Sequence, residues 1–227
     1  MNNSSLKYFF MITYPRISLT IFIALVAIGM YLYPGSTYHN HETMRYLFNE
    51  NFLSDLGRTI THGGSNNFHS SILFNTSLML GAVTYIIFYL LIKELFDSNL
   101  ISKLGSLFGV LGSLCMIGVA LTPSDLFLSP HILFNMWLFR FFLLSTLCYT
   151  WLIYKNKQIN NSYLAGNLIF IVFLLIYIII LMYGPSPRES HAALILQALS
   201  QKIILFNFML SIIVQTMAYN KILRPES

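Results

Sequence analysis

Charge is scarce in this chain. Charged residues fill 9% of its 227 positions, against about 25% in soluble domains, which is too few to cover a water-facing surface. Acids are scarcer than bases, 8 against 13, and none falls inside a long apolar run. That argues against proton-coupled transport through a carboxylate at membrane depth. Cysteine is limited to Cys115 and Cys148, both within apolar runs, so neither a loop disulfide nor a thiolate metal centre can be built. The net charge of +5 is dispersed and forms no basic stripe, which excludes nucleic acid as a partner. No internal repeat of the kind seen in transporters is evident. Ile17–Tyr33 is followed by no small-residue cleavage site, and so reads as a first span rather than a removable leader.

Apolar residues are abundant, at 56% of the chain, with 15% aromatic. A spanning helix needs about 20 mostly apolar residues, and six stretches qualify: Ile17–Tyr33, Ser71–Ile92, Leu104–Leu121, Ile132–Tyr154, Tyr163–Tyr183 and Ala192–Ala218. Pro34-Gly35, Lys93 to Lys103, Thr122-Pro123-Ser124-Asp125, Lys155-Asn156-Lys157 and Gly184-Pro185-Ser186-Pro187-Arg188 separate them. The expected fold is an all-α bundle of six transmembrane helices forming a single domain, with one long insert, Pro34 to Ser70. In that insert Met44, Leu47, Phe48, Phe52, Leu53 and Leu56 recur at near-helical spacing, as in a short helix lying on the membrane or capping the bundle.

Orientation follows from Lys and Arg. The N-terminus, loops two and four and the C-terminus carry Lys7, Arg16, Lys93, Lys103, Lys155, Lys157, Lys221 and Arg224; the other loops carry only Arg45, Arg58 and Arg188. The first set is expected to be cytoplasmic, with both termini inside and the insert outside, most simply at a plasma (inner) membrane. Membrane lipids are the expected partners. Gly105, Gly109 and Gly112 line one face of span three; packing within the chain is the favoured reading of that face, a homo-oligomer contact the other.

With that topology His39, His41, His62, His69, His131 and His191 all fall outside or at outer span ends, beside Glu42, Glu50, Asp55, Asp125 and Glu189. His69, His131 and His191 sit at the mouths of three different spans. One chemistry they fit is a zinc site with Asp125 as a further ligand and Asp55 as base for metal-bound water. The plainer reading is scattered interfacial histidines. Histidines gathered at one end also argue against haem, whose axial ligands project into the bundle.

Polar groups at depth carry more information, because each is costly there. Arg140 lies in span four and Lys202 in span six, with Gln197 and Gln201 nearby and Asn75 in the outer half of span two. At 100° per residue His191 and Lys202 share a face, as do His131 and Asn135, while Arg140 points nearly opposite His131. With no acid in any span, the partners of these cations are an outer-loop carboxylate, a backbone carbonyl or a bound anion. One outcome is a buried contact holding loop to bundle. The functional one is an outward-facing polar pocket that binds or processes an anionic lipid or isoprenoid head group through Arg58, Asn75, Arg140, Arg188 and Lys202. A structural or transport role without catalysis is the remaining alternative.

The stretch Asn51-Phe52-Leu53-Ser54-Asp55-Leu56-Gly57, with Asn75, Gly81, Gly118, Pro123, His131, Gly184 and Arg188, resembles the six-span membrane family DUF998. Its Ser54-Asp55-x-Gly57 element is also similar to the Frag1/DRAM/Sfk1 group. Both resemblances imply a six-helix bundle with a functional outer face, carried over to Ser54, Asp55, Gly57, Asn75, His131 and Arg188, and bring no assigned reaction. A looser likeness to the alkaline ceramidase and adiponectin-receptor group would imply zinc amide hydrolysis. The chain departs from it in having six spans and Ile195 four residues after His191.

Overall fold

The computed structural model describes residues 3–223; Arg224, counted above among the basic residues, lies outside the described residues. Among the described residues six helices are long and apolar enough to cross a membrane: Ser4–Leu32, Phe68–Phe96, Leu100–Leu121, Leu128–Lys155, Asn161–Tyr183 and His191–Leu223. They make this an all-helical, multi-pass architecture. Among the described residues the only β-pairing is an isolated bridge between Ile60 and Asn66.

The first span starts well before the expected Ile17. It is a composite of α1 (Asn3–Tyr8), a π-helical turn (Phe9–Thr13) and α2 (Tyr14–Leu32). Pro15 and Arg16 look like punctuation in the sequence but lie inside the helical run. Pro15 occupies the first turn of α2, where its missing N–H costs little, and the wider turn before it absorbs the change in pitch. Arg16 donates from Nε to Thr216 Oγ1 at 2.9 Å, so its charge lies along a neighbouring helix rather than in hydrocarbon.

The remaining spans are α3 (Phe68–Ile92), α4 (Leu100–Leu121), α5 (Leu128–Lys155), α6 (Leu164–Tyr183) and α7 (His191–Leu223). Each packs chiefly on its neighbours in sequence, and α7 returns to α2 and the π turn. The six spans therefore form a ring in chain order. The glycine face of α4 is filled from within the chain. A Cβ at Gly105 would stand 2.9 Å from Tyr149 Cε2 and one at Gly112 2.9 Å from Phe142, while Gly109 lies directly against the Tyr89 ring. Close approach also lets Ser145 Oγ reach Gly105 O at 2.8 Å and Ser106 meet both Tyr89 O and the Tyr149 hydroxyl.

One half of the ring is plugged by aromatic side chains. Phe208 of α7 packs on Phe142, Phe170 and Tyr85 with ring centroids 5.0, 5.7 and 5.2 Å away, and Tyr219 continues the plug against Phe88 and Phe96. The other half is covered by the insert, which is short turns and a 3-10 helix, Leu53–Gly57, rather than an α-helix. The chain leaves α2 through Gly35 (φ 113°) and Ser36 (φ 72°); only glycine tolerates the first of these without strain, since a Cβ there would collide with the Thr43 carbonyl.

Because Gly109 has no room for a methyl group, Gly109→Ala should lower stability by about 1–3 kcal/mol through overpacking. Leu107→Ala, on an exposed position of the same helix, should change it by less than about 0.5 kcal/mol. Unfolding midpoints of the two variants in detergent check both.

Candidate functional site

The insert is tied to the bundle through polar groups from two spans, α3 and α7, and from the loops before α5 and α7. Asn67, just ahead of α3, places its Nδ2 at 2.8–3.3 Å from the carbonyls of Asp55, Leu56 and Arg58. Ser70 and Ser71 donate to Leu56 O and Gly57 O, and Asn75 Nδ2 to Gly57 O at 3.2 Å. Gly57 is required at this seat: a Cβ there would stand 2.7 Å from Asn75 Oδ1. From the loop before α5, Asp125 accepts from Thr59 N, Thr59 Oγ1 and Ile60 N at 2.5–3.1 Å. From the loop before α7, Pro187 O lies 2.8 Å from His39 Nε2. These bonds place the insert and both loops at one end of the ring, hereafter the capped end.

Lys202 is the deepest anchor. Its ammonium is buried in α7 and donates to Asn51 O at 2.6 Å and Ala198 O at 3.1 Å, with the Tyr46 and Phe48 rings 5.6 and 5.1 Å away. Of the partners expected for this cation, the backbone carbonyl is the one used. Three turns earlier on the same face, His191 Nε2 stands 3.3 Å from Glu50 Oε1, so the two residues grip adjoining positions of the insert. Gln201 Oε1 accepts from Leu53 N at 2.7 Å.

Asn51 and Asp55 organise the insert itself. Asn51 Nδ2 donates to Ser36 O and to Asp55 Oδ2, its Oδ1 accepts from Leu47 N, and its carbonyl takes Lys202. Asp55 also accepts from Phe52 N at 2.9 Å and meets His62 Nε2 at 3.1 Å. Burial, reinforced by the Asp55 carboxylate, pushes the Tyr33 and Tyr46 phenols far above their ordinary range. Both therefore stay neutral donors, to Ser36 O and to Asn51 O and Phe52 O.

Between this roof and the aromatic plug lies a chamber of about 80 Å³ to which all six spans contribute. Its walls are apolar: Phe22, Phe74, Leu78, Met116, Val119, Leu138, Phe139, Phe142, Phe170, Leu205 and Phe208, with Leu53 overhead. Four polar side chains also face it, Ser54, His131, Asn135 and Gln201, and none carries a fixed charge. His131 Nδ1 is 2.7 Å from Thr122 O. A carbonyl only accepts, so Nδ1 holds the proton and Nε2 of the neutral ring is an acceptor. The shared face of His131 and Asn135, legible from their spacing, is thus the polar edge of the chamber.

The other expected residues are dispersed. Arg140 reaches Met182 Sδ at 3.4 Å and Trp137 at 5.4 Å; it shares no partner with Lys202, and the two cations do not form one pocket. Arg58 Nε donates to Ile60 O, and Arg188 lies 5.9 Å over the Tyr38 ring. His69 packs edge-on against Phe68. His69, His131 and His191 have three separate sets of neighbours, and among the described residues no group of three or more His, Cys, Asp or Glu could hold a metal ion. The zinc site expected from these histidines with Asp125 is not assembled, because the loops that carry them run to different partners. The sequence reading missed Asn51 as an organiser and the chamber itself. No protein-family model, curated protein or solved structure matches the chain.

Two outcomes follow from these contacts. Lys202→Met removes two charge-assisted bonds and leaves Asn51 O with only the longer Tyr46 hydroxyl bond, so it should cost about 1.5–3 kcal/mol and make the insert protease-sensitive at temperatures where α3–α6 still resist. At Asp125, burial alone would raise the carboxyl, but the Thr59 and Ile60 donors outweigh it and hold its pKa below the ordinary value. Its contribution is therefore complete above about pH 4 and lost as pH falls through the lower folded value. The stability difference between wild type and Asp125→Asn should be flat from neutral pH down to that point and shrink below it.

Proposed function

We propose that this protein holds a membrane lipid with an uncharged polar head in the chamber under the cap. The observation that carries this reading is the chamber's division into a hydrocarbon-like body and an edge of neutral hydrogen-bonding groups. Cavities with apolar walls stay dry and take apolar guests, and the chamber is several times the roughly 10–15 Å³ that one water requires. The solute at hand inside a bilayer is a lipid chain.

The chemistry of the edge selects the head. Ser54 and His131 accept, and the amides of Asn135 and Gln201 can donate, so a hydroxyl, ester or amide finds partners. Lys202 has its ammonium committed to Asn51 and Ala198, and Arg140 lies against Met182. A phosphate or carboxylate head would enter the chamber without a cation, a cost of several kcal/mol. An isoprenoid or fatty alcohol, or a glyceride, suits the site better than an anionic lipid. In the membrane the capped end faces outward and both termini face the cytoplasm. The excess of Lys and Arg on the opposite segments supports this orientation.

Filling the chamber tests the reading. Leu138→Trp should abolish co-purification of neutral lipid seen by native mass spectrometry, whereas Leu147→Trp, exposed on the same helix, should retain it. Equal lipid occupancy in both variants would sink the proposal.

A further inference from the structure

Beyond the chamber, toward the aromatic plug, lies a second cavity of about 10 Å³. The two have four walls in common: Phe22, Met116, Leu205 and Phe208. They are one slot interrupted by a constriction. The second cavity runs on past Gly81 of α3 toward Tyr85 and Met209, so its direction is along the ring axis, away from the polar edge.

The four shared residues are unequal as barriers. Phe208 is clamped by ring contacts from three other spans, to Tyr85, Phe142 and Phe170. Phe22 and Phe208 are both buried, and a clamped aromatic ring has few alternative rotamers in a close-packed interior. Met116 is different. It is unbranched, with three rotatable bonds and a polarizable sulfur, and its terminal methyl sits over Gly81, where an added Cβ would stand 3.1 Å from Met116 Cε. The missing side chain of Gly81 gives Met116 the space in which it blocks the slot. Leu205 is half-buried and has fewer rotatable bonds, so Met116 is the most adaptable of the four shared walls.

We infer that Met116, opposite Gly81, is the specificity-determining residue that limits the length of a single-chain lipid held with its neutral head at His131, Asn135 and Gln201. The inference rests on the lipid-binding reading above. A slot that narrows to one methionine between aromatic walls admits one unbranched chain end. Two chains side by side would have to share the constriction. A chain that stops short of Met116 leaves the methyl over Gly81. A longer homologue enters the slot only by displacing it.

The test uses full-length protein in detergent and a homologous series of photoactivatable fatty alcohols of increasing chain length. Wild type should label with a maximum at one length. Met116→Ala should move the maximum to longer homologues. Met116→Phe should move it to shorter ones. Leu107→Phe on the exposed side of α4 should leave it unchanged. Unfolding midpoints confirm that each variant is folded, and Met116→Leu serves as a second shape-changing variant if Met116→Phe is not. Wild-type labelling with the same length maximum in all Met116 variants overturns the length-limiting role and leaves lipid binding standing. Absence of labelling in wild type overturns the lipid reading, and the role of Met116 with it.

Discussion

An ammonium group inside the last span sets the terms for the capped end. A cation at that depth must find oxygen, and the acid that the described spans do carry, Glu94, lies at the far end of the second span against Lys7. The carbonyl of Asn51 supplies the oxygen, at 2.6 Å, which obliges the insert to fold inward over the ring instead of lying loosely on the surface. Asn51 can deliver its carbonyl only because its side chain is fixed by Ser36 O, Leu47 N and Asp55 Oδ2, and Asp55 is in turn fixed by Phe52 N and His62. Each group in the series is buried and polar, so each depends on the next to avoid the cost of an unpaired group. The charge within the membrane thus becomes a structural demand on the loop.

The roof makes the chamber. A ring of six helices packed in sequence order leaves space on its axis unless large side chains fill it. Phe208, Phe142, Phe170 and Tyr219 fill one half. In the other half the axis is left open, closed overhead by Leu53 and Ser54 and edged by His131, Asn135 and Gln201. The tight glycine packing of α4 draws it against α3 and α5, and the open volume lies on the axis among all six spans.

The spans were legible in the sequence because hydrocarbon thickness and the cost of unpaired backbone leave few alternatives to a long apolar helix. The glycine face of α4 and the common faces of His131 with Asn135 and His191 with Lys202 followed from helical period alone. The start of the first span did not, because a π turn lets Pro15 and Arg16 continue a helix that they would ordinarily end. The grouping of the histidines was also out of reach. Their positions depend on where irregular loops run, and His39, His62 and His191 were each drawn to a different acceptor, Pro187 O, Asp55 and Glu50. The chamber was hidden for another reason: it is a shortfall in volume summed over side chains from all six helices, and no local pattern encodes it.

The anchor between Asn51 and Lys202 spans 151 residues, and that between Leu53 and Gln201 spans 148. The insert emerges from the ribosome after the first of these helices and can seat at once on α3, whereas its α7 anchors arrive with the sixth. At about 5–20 residues per second, the interval is on the order of ten to thirty seconds. During that time Asn51 lacks its Lys202 partner and Leu53 its Gln201 partner. The maturing chain therefore passes through a stage with five of these helices made and the loop held by α3 and Asp125 alone, which the sixth helix ends. Assembly of the bundle has a built-in completion step: the sixth helix is the one that closes the first loop.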